Sequence, residues 1–292
     1  MRYHGAVIRP PSEADSLILQ VTYGCSNDTC DFCGTYIGKP FRVRPYEEVV
    51  EDVEGLPAWA RERYTRVFLA DGDALVLPQR RLLELLELLY RELPRLERVS
   101  SYANAQNILK KTPEQLAELR LKGLHMLYVG LESGDDETLA AIHKGVTAAE
   151  QIEACLRAKE ADMALSLTCI LGLAGVQRSL IHARKTGEAL SAIDPDYIGV
   201  LSLIVVPGTP MADRIERGEF ELPDAWEMLH ELREMIAAIE VTHSVFRSNH
   251  ASNYLPVGGT LPRDKGHMLA ALNQALSRPD AVRLRPEGWR AL

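Results

Sequence analysis

The amino-acid sequence predicts an α/β fold built on parallel strands. The first observation is that short apolar segments recur along the 292 residues, each followed by a stretch with helical periodicity. The second is that aspartate, asparagine or glutamate comes directly after several of these segments. Strands that alternate with helices of this length form parallel sheets with right-handed crossovers. We therefore expect the polar loops that follow the strands to share one edge of the sheet.

The predicted elements form six consecutive strand–helix units. Residues 17–22 alternate between two faces and predict a first strand that leads directly into a cysteine-rich loop. Pro45 suits the first turn of a helix that ends near Gly55. Capping boxes at 112–115 and 147–150 begin two later helices. The other predicted strands are 67–70, 98–103, 125–131, 164–171 and 197–206, and the other predicted helices are 78–93, 178–192, 224–239 and 265–276.

Composition and charge argue against several classes of protein. The sequence is 46% hydrophobic and 25% charged, which is typical of a soluble globular protein. Its start lacks the pattern of a signal peptide, and its longest mostly apolar run, 163–176, is shorter than the roughly 20 residues that span a membrane. A net charge of −8 weighs against broad contact with nucleic acid. The odd number of cysteines predicts reduced thiols, and we expect a cytoplasmic enzyme.

Three of the five cysteines, Cys25, Cys30 and Cys33, fall within nine residues. Thiolates gathered this closely are typical ligands of one soft metal centre, either zinc or an iron–sulfur cluster. A structural zinc site is closed by four protein ligands, whereas a cubane held by three cysteines keeps one iron open. By themselves the cysteines leave both possibilities, including a zinc site completed by a histidine such as His4.

Two segments resemble the radical S-adenosylmethionine (radical SAM) enzymes. The cysteine loop, with Phe32 before its last cysteine, is similar to the cluster loop of that superfamily, although it reads CxxxxCxxC where CxxxCxxC is usual. Residues 130–139, followed by His143-Lys144-Gly145, resemble the branch of oxygen-independent coproporphyrinogen oxidases, methylthiotransferases and Elp3-like proteins. The resemblance implies a [4Fe–4S] cluster on the three cysteines, SAM on the open iron, and a partial (β/α)6 TIM-like barrel.

The resemblance also implies contacts to SAM in the first half of the chain. Phe32 matches an apolar residue that packs near the adenine. Gly72 and Asp73 stand where the superfamily contacts the methionine amine, and Asp71 is an equally suitable carboxylate. Asn104 is expected to touch the ribose hydroxyls, because an amide both donates and accepts. Tyr102 competes with Asn104 for that role, and an ordinary strand-to-helix turn also explains Asp73.

Further SAM contacts are implied beyond the fourth predicted strand. Glu132 matches a polar residue that touches SAM, and Lys144 matches a basic residue paired with the SAM carboxylate. The alternative is a surface salt bridge between these two residues. Thr168 occupies the position of a ribose contact. Cys169 then points the opposite way, and we interpret both Cys169 and Cys155 as buried apolar thiols.

The predicted function is that of a radical SAM enzyme acting on an unidentified small molecule, with an electron donor such as flavodoxin or ferredoxin. Residues 1–16 are an N-terminal extension, 17–210 the partial barrel, and 211–292 a C-terminal extension that covers the barrel mouth. Polar residues at 249–254 either contact substrate or stiffen a loop. The alternatives are a non-catalytic zinc scaffold and, among enzymes, a porphyrinogen-type decarboxylase or an RNA-modifying enzyme.

Overall fold

The computed structural model describes residues 1–291. The chain divides into two compact units. The first comprises Met1–Asp28, Thr35–Val129 and Glu153–Leu165, and the second comprises Thr29–Gly34, Gly130–Ile152 and the residues from Ser166 onward. Among residues 1–291, no helix is both long enough and apolar enough to span a membrane.

Strands and helices alternate over most of the chain. The strands are β1 Leu17–Gln20, β2 Thr22–Tyr23, β3 Arg42–Val43, β4 Arg66–Ala70, β5 Arg98–Ala103, β6 Leu124–Glu132, β7 Ala164–Leu171, β8 Tyr197–Ser202, β9 Ser244–Ser248 and β10 Val257–Leu261. The helices are α1 Tyr46–Glu54, α2 Ala58–Arg63, α3 Gln79–Glu92, α4 Ala105–Leu109, α5 Pro113–Leu121, α6 Asp136–Ala141, α7 Ala148–Glu160, α8 Gly175–Ile193, α9 Pro210–Glu216, α10 Ala225–Ala238 and α11 Lys265–Ser277.

In the first unit, β1, β4, β5 and β6 pair in parallel in that order. Phe68, Ala70, Met126 and Tyr128 form an apolar cluster on one face of these strands. Leu127 lies between Met126 and Tyr128 and therefore points to the opposite face, as its place in the alternation predicts. Their carboxyl ends lead into the cysteine loop, the turn at 71–73 and the turn at Asn104.

In the second unit, β7, β8 and β9 are parallel, and β10 adds to β9 as an antiparallel strand. Burial alternates along β7, where Leu165, Leu167, Cys169 and Leu171 are buried and the residues between them are only partly buried. This alternation is typical of a strand with one covered face and one accessible face. Helix α8 lies on the covered side, where the His182 ring is within hydrogen-bond distance of the Ile170 carbonyl.

The predicted α/β class and the long elements are confirmed, but several boundaries are wrong. The strand predicted for 197–206 ends at Ser202, because β7 ends at Leu171 and offers no further partner. Leu203 instead packs with Ile142, Leu173 and Met211. Strands β9 and β10 are absent from the prediction, although they pair with each other just before and after the polar residues at 249–254.

The N-terminal extension is more ordered than its lack of pattern predicts. Pro11–Glu13 forms a short 3-10 helix that places the Glu13 side chain in the interior of the first unit. There Glu13 accepts a hydrogen bond of 2.6 Å from the Tyr128 hydroxyl and lies 2.7 Å from Arg98. A buried carboxylate with these partners anchors the extension to β5 and β6.

Candidate functional site

The first cysteine is held against the turn that follows β4. The Gly72 amide donates a hydrogen bond of 3.1 Å to the Gly24 carbonyl. A Cβ atom built on Gly72 would lie 2.7 Å from Cys25 Cβ and 3.0 Å from its Sγ. This is closer than side-chain atoms approach one another, so the position requires glycine. The structure thus brings two predicted site residues, Gly72 and Cys25, into direct contact.

Asp73 organises a polar network next to Cys25. Its fully buried carboxylate accepts hydrogen bonds from Ser26 Oγ at 3.0 Å, from the Leu75 amide at 3.0 Å and from the Asn107 amide group. Burial raises the pKa of Asp73 to about 6, although these hydrogen bonds oppose the shift. Ser26 also accepts a bond from Asn104 Nδ2 at 3.0 Å. The network ties the cysteine loop to the ends of β4 and β5.

Asp71 has one carboxylate oxygen with no protein partner. Its Oδ2 accepts hydrogen bonds from Gln20 at 2.9 Å and from the Gly24 amide at 3.2 Å, and it pairs with Lys39. Its Oδ1 is buried and lacks any partner within residues 1–291. A buried acceptor of this kind is costly unless a ligand or water satisfies it. Of the two predicted carboxylates, Asp71 therefore offers the free acceptor.

In the second unit, the segment with Cys30 and Cys33 is anchored to the turn after α6. The Asp31 amide donates to the Ile142 carbonyl at 3.0 Å, and the Asp31 carboxylate lies 2.8 Å from His143 Nδ1. The Met211 amide donates to the Asp31 carbonyl at 3.0 Å. Between the two cysteines, the Cys33 amide donates to the Cys30 carbonyl at 3.1 Å. These bonds fix the backbone that carries both thiols.

Glu132 and Lys144 form a buried ion pair in the same unit. Their side chains are 3.1 Å apart and each residue is 8% exposed. The salt bridge considered as an alternative is therefore present, but it is buried and not at the surface. A Cβ atom on Gly130 would overlap the Glu132 carboxylate, so a larger residue at position 130 would displace that side chain. Glu132 Oε2 is buried and has no partner within residues 1–291. Burial raises the pKa of Cys30 to about 11, while the charge of Lys144 opposes this shift.

The other predicted residues fall into two groups. Phe32 packs at the edge of an apolar cluster that contains Ile142 and Met211. Thr168 is partly buried on the accessible face of β7. Cys155 and Cys169 are both fully buried, and burial raises the pKa of Cys155 to about 12. The prediction that both cysteines are buried is confirmed.

The thiols of Cys25, Cys30 and Cys33 are chemically suitable ligands for an iron–sulfur cluster. No cysteine in residues 1–291 forms a disulfide, and Cys25, Cys30 and Cys33 are the three that are only partly buried. Within residues 1–291, no group of three or more His, Cys, Asp or Glu side chains is arranged as a complete metal site. The fit therefore depends on the thiol donors themselves and on the unpaired oxygens of Asp71 and Glu132, which a ligand with hydrogen-bond donors would satisfy.

The sequence profile of the Radical SAM superfamily matches residues 19–182, more than half of the chain. The chain therefore belongs to the radical SAM superfamily, whose members are enzymes that bind a [4Fe–4S] cluster and SAM. This membership decides between the two metals that the cysteine loop alone left open, and the zinc-scaffold alternative is set aside.

Two relatives support the same family. The chain is 24% identical over 193 residues to the heme chaperone HemW of Bacillus subtilis (strain 168), covering 66% of this chain and 50% of that protein. It is 29% identical over 200 residues to a tRNA-2-methylthio-N(6)-dimethylallyladenosine synthase of Herpetosiphon aurantiacus, covering 66% of this chain and 44% of that protein. The chain spans about half the length of the curated relatives it matches.

Solved structures show the same fold. Coproporphyrinogen III oxidase (HemN) from Escherichia coli has a TM-score of 0.59 at 18% identity, over 76% of this chain and 51% of that chain. Methylornithine synthase (PylB) has a TM-score of 0.52 at 19% identity, over 77% of this chain and 63% of that chain. The predicted partial (β/α)6 barrel of parallel strands is confirmed at the level of the fold.

Sequence reasoning missed several residues that the structure places beside the predicted ones. Ser26 and Asn107 complete the Asp73 network, and Lys39 pairs with Asp71. Asn107 follows Asn104 by three residues and donates its backbone amide to the Asn104 side chain, which caps α4. That spacing is a recognisable N-cap signal, whereas the contacts of Ser26 and Lys39 join residues far apart in the chain.

Proposed function

We propose that this protein cleaves SAM reductively at a [4Fe–4S] cluster and transfers the resulting radical to a small-molecule substrate. The observation that carries the proposal is that the superfamily match spans Cys25, Cys30, Cys33 and the buried Glu132–Lys144 pair. The chemistry supplied by the bound cluster and SAM is carbon–sulfur bond cleavage to a 5′-deoxyadenosyl radical that abstracts hydrogen.

In this proposal the chain's own residues bind and orient the cofactors. Cys25, Cys30 and Cys33 hold the cluster as thiolates, which requires loss of their protons on loading. Burial raises the pKa of Cys30 to about 11, so the Cys30 side chain loses its proton when iron binds. Gly72 keeps space for Cys25.

The groups proposed to bind SAM are those with unused polar atoms or accessible faces. Lys144 attracts the SAM carboxylate, and Glu132 Oε2 accepts a hydrogen bond from the ligand. Asp71 Oδ1 is the proposed acceptor for the methionine amine. Its neighbour Asp73 positions the cysteine loop, because all of its described hydrogen bonds are internal.

The proposed nucleoside contacts are Asn104 and Thr168 to the ribose and Phe32 near the adenine. The Asn104 side chain caps α4 through its oxygen and donates to Ser26 through its nitrogen. Its ribose role therefore requires it to share these bonds with the ligand. Thr168 has no such constraint on the accessible face of β7.

The test is anaerobic reconstitution with iron and sulfide, followed by reduction in the presence of SAM. We expect visible absorbance from the cluster and formation of 5′-deoxyadenosine. Cys30→Ala should abolish both, and Cys155→Ala, a buried thiol outside the loop, should leave both intact. Absence of 5′-deoxyadenosine from a fully loaded parent protein would refute the proposal.

Three further statements remain proposals. The electron donor is a small one-electron carrier such as flavodoxin or ferredoxin, the location is cytoplasmic, and residues 211–292 cover the barrel mouth.

A further inference from the structure

The accessible face of strands β7 to β10 contains a single charged side chain within the described residues. Register places the following residues on this open face: Ser166, Thr168 and Ile170 of β7, Tyr197, Gly199 and Leu201 of β8, Val245 and Arg247 of β9, and Gly258 and Thr260 of β10. Paired residues of neighbouring strands point to the same side of a sheet. All of these side chains except Arg247 are neutral.

Arg247 keeps most of its donors unused. Its Nη1 donates to the carbonyls of Phe246 at 2.9 Å and Gly259 at 3.2 Å, which holds the guanidinium along the sheet. In the part of the chain that the structure describes, no carboxylate lies within ion-pair distance of Arg247, and its Nε and Nη2 have no hydrogen-bond partner. The residue is exposed, so these donors are accessible to a ligand.

Two glycines leave room on both sides of this arginine. Thr168, Gly199, Arg247 and Gly258 stand in one row across the four strands. A Cβ atom on Gly199 would meet only the Leu167 carbonyl, at 3.8 Å. A Cβ atom on Gly258 would lie 3.4 Å from Arg247 Cδ and 3.6 Å from Nη1. A side chain at position 199 would therefore meet no other group within 4 Å of its Cβ atom.

We propose that Arg247 binds a carboxylate group of the substrate on the open face. The inference rests on the proposed function, because it places the substrate beside the nucleoside contact Thr168. Neighbouring strands are about 4.8 Å apart, so Thr168 and Arg247 are separated by about 10 Å across Gly199. A small molecule fits in that interval with its reacting carbon toward the ribose and its carboxylate on Arg247.

The charge on the open face indicates which chemical group of the substrate binds there. A planar guanidinium can bind a carboxylate through two parallel hydrogen bonds. One arginine balances the single charge of a carboxylate, whereas Arg247 alone would balance only half the charge of a phosphate dianion. Arg247 also lies outside residues 19–182, the part that matches the superfamily, which suits a determinant of substrate rather than of SAM.

The test uses fluorine NMR on the reconstituted protein with SAM present and no reductant. The probe is para-fluorobenzoate, compared with para-fluorobenzamide and para-fluorophenyl phosphate at millimolar concentration. We expect the benzoate to bind and the amide not to bind. Arg247→Gln should weaken benzoate binding at least about tenfold, equal to about 1.4 kcal/mol. Arg247→Lys should weaken benzoate binding less. Gly199→Val should block benzoate binding, because its side chain would occupy the space between Thr168 and Arg247.

Controls separate this inference from the proposed function. Arg217→Gln removes an exposed arginine paired with Glu219 and should leave benzoate binding unchanged. SAM cleavage on reduction should be equal in the parent and in Arg217→Gln. Failure of the parent to bind benzoate, equal binding by Arg247→Gln, or tighter binding of the amide or phosphate would overturn the carboxylate site. Failure of the parent to form 5′-deoxyadenosine would instead refute the proposed function, whatever the benzoate result.

Discussion

A methyl group on Gly72 should displace Cys25 and lower the cluster content of the protein. In Gly72→Ala the new Cβ atom would lie 2.7 Å from Cys25 Cβ, 2.9 Å from its Cα and 3.0 Å from its Sγ. Non-bonded carbon atoms are most stable at about 3.5–4.0 Å, so the backbone segments that contain residue 72 and Cys25 must move apart by about 1 Å. The nearest atoms belong to the Cys25 backbone and Cβ, which cannot rotate away as the end of a long side chain can.

The cost of this displacement follows from the fixed backbone around it. The Gly72 amide is bonded to the Gly24 carbonyl, and Gly24 itself has a φ of 70° and lies close to the backbone of Lys39 and Phe41. Forcing an extra methyl group into such a site typically costs about 1–3 kcal/mol. We expect a loss of this size in the free energy of unfolding of the apoprotein and a clear loss of bound iron.

The assay combines iron and sulfide analysis after reconstitution with denaturant unfolding of the apoprotein. Gly266→Ala is the matched control, since a Cβ atom at Gly266 in α11 meets nothing within 4 Å and alanine favours a helix. Parental iron content together with parental stability in Gly72→Ala would refute the steric reasoning.

Three other perturbations have defined outcomes. Lys144→Met leaves the Glu132 carboxylate buried without its cation, which should lower the free energy of unfolding by about 3 kcal/mol. Adding Glu132→Gln should restore most of that stability, as measured by urea unfolding. No recovery in the double variant would show that loss of the ion pair is not the cause. Burial raises the pKa of Glu231 to about 7 from 4.5, so its contribution to stability is complete below about pH 4.5 and is lost as pH rises through about 7. The difference in free energy of unfolding between the parent and Glu231→Gln should change by up to about 3 kcal/mol over that range. A difference that does not vary with pH would contradict this. Cys169→Ala removes a buried thiol and should leave iron content and SAM cleavage unchanged; a loss of iron without a loss of stability would assign that thiol to the cluster.

The long elements were predictable because their signals are local. The capping box predicted at 112–115 is present, with Thr112 and Gln115 each bonded to the other's backbone. The alternation predicted for β7 appears directly in its burial. Such features depend on neighbours in sequence, so the residues alone determine them.

The sequence predicted which kind of cofactor the site binds, but it predicted the roles of individual residues only in part. The cysteine spacing and the resemblance at 130–145 indicated the family, which the superfamily match confirms. The different duties of Asp71 and Asp73 were not predictable, because they depend on which oxygen meets Gln20, Ser26 or Asn107 from distant parts of the chain.

Arg247 is missing from the prediction for the same reason. Its sequence context, a polar stretch without periodicity, concealed β9 and its partner β10. Only the register of these strands places Arg247 in one row with Thr168 and Gly199.

The turn that anchors Asp31 lies next to two parts of the proposed site, the cysteine segment and Lys144. The Ile142 and His143 groups that hold the segment of Cys30 and Cys33 immediately precede Lys144, the cation proposed for the SAM carboxylate. Under the roles proposed for Lys144 and the cysteines, SAM binding and iron retention would therefore depend on the same turn. Weakening the Asp31 anchor would then impair both.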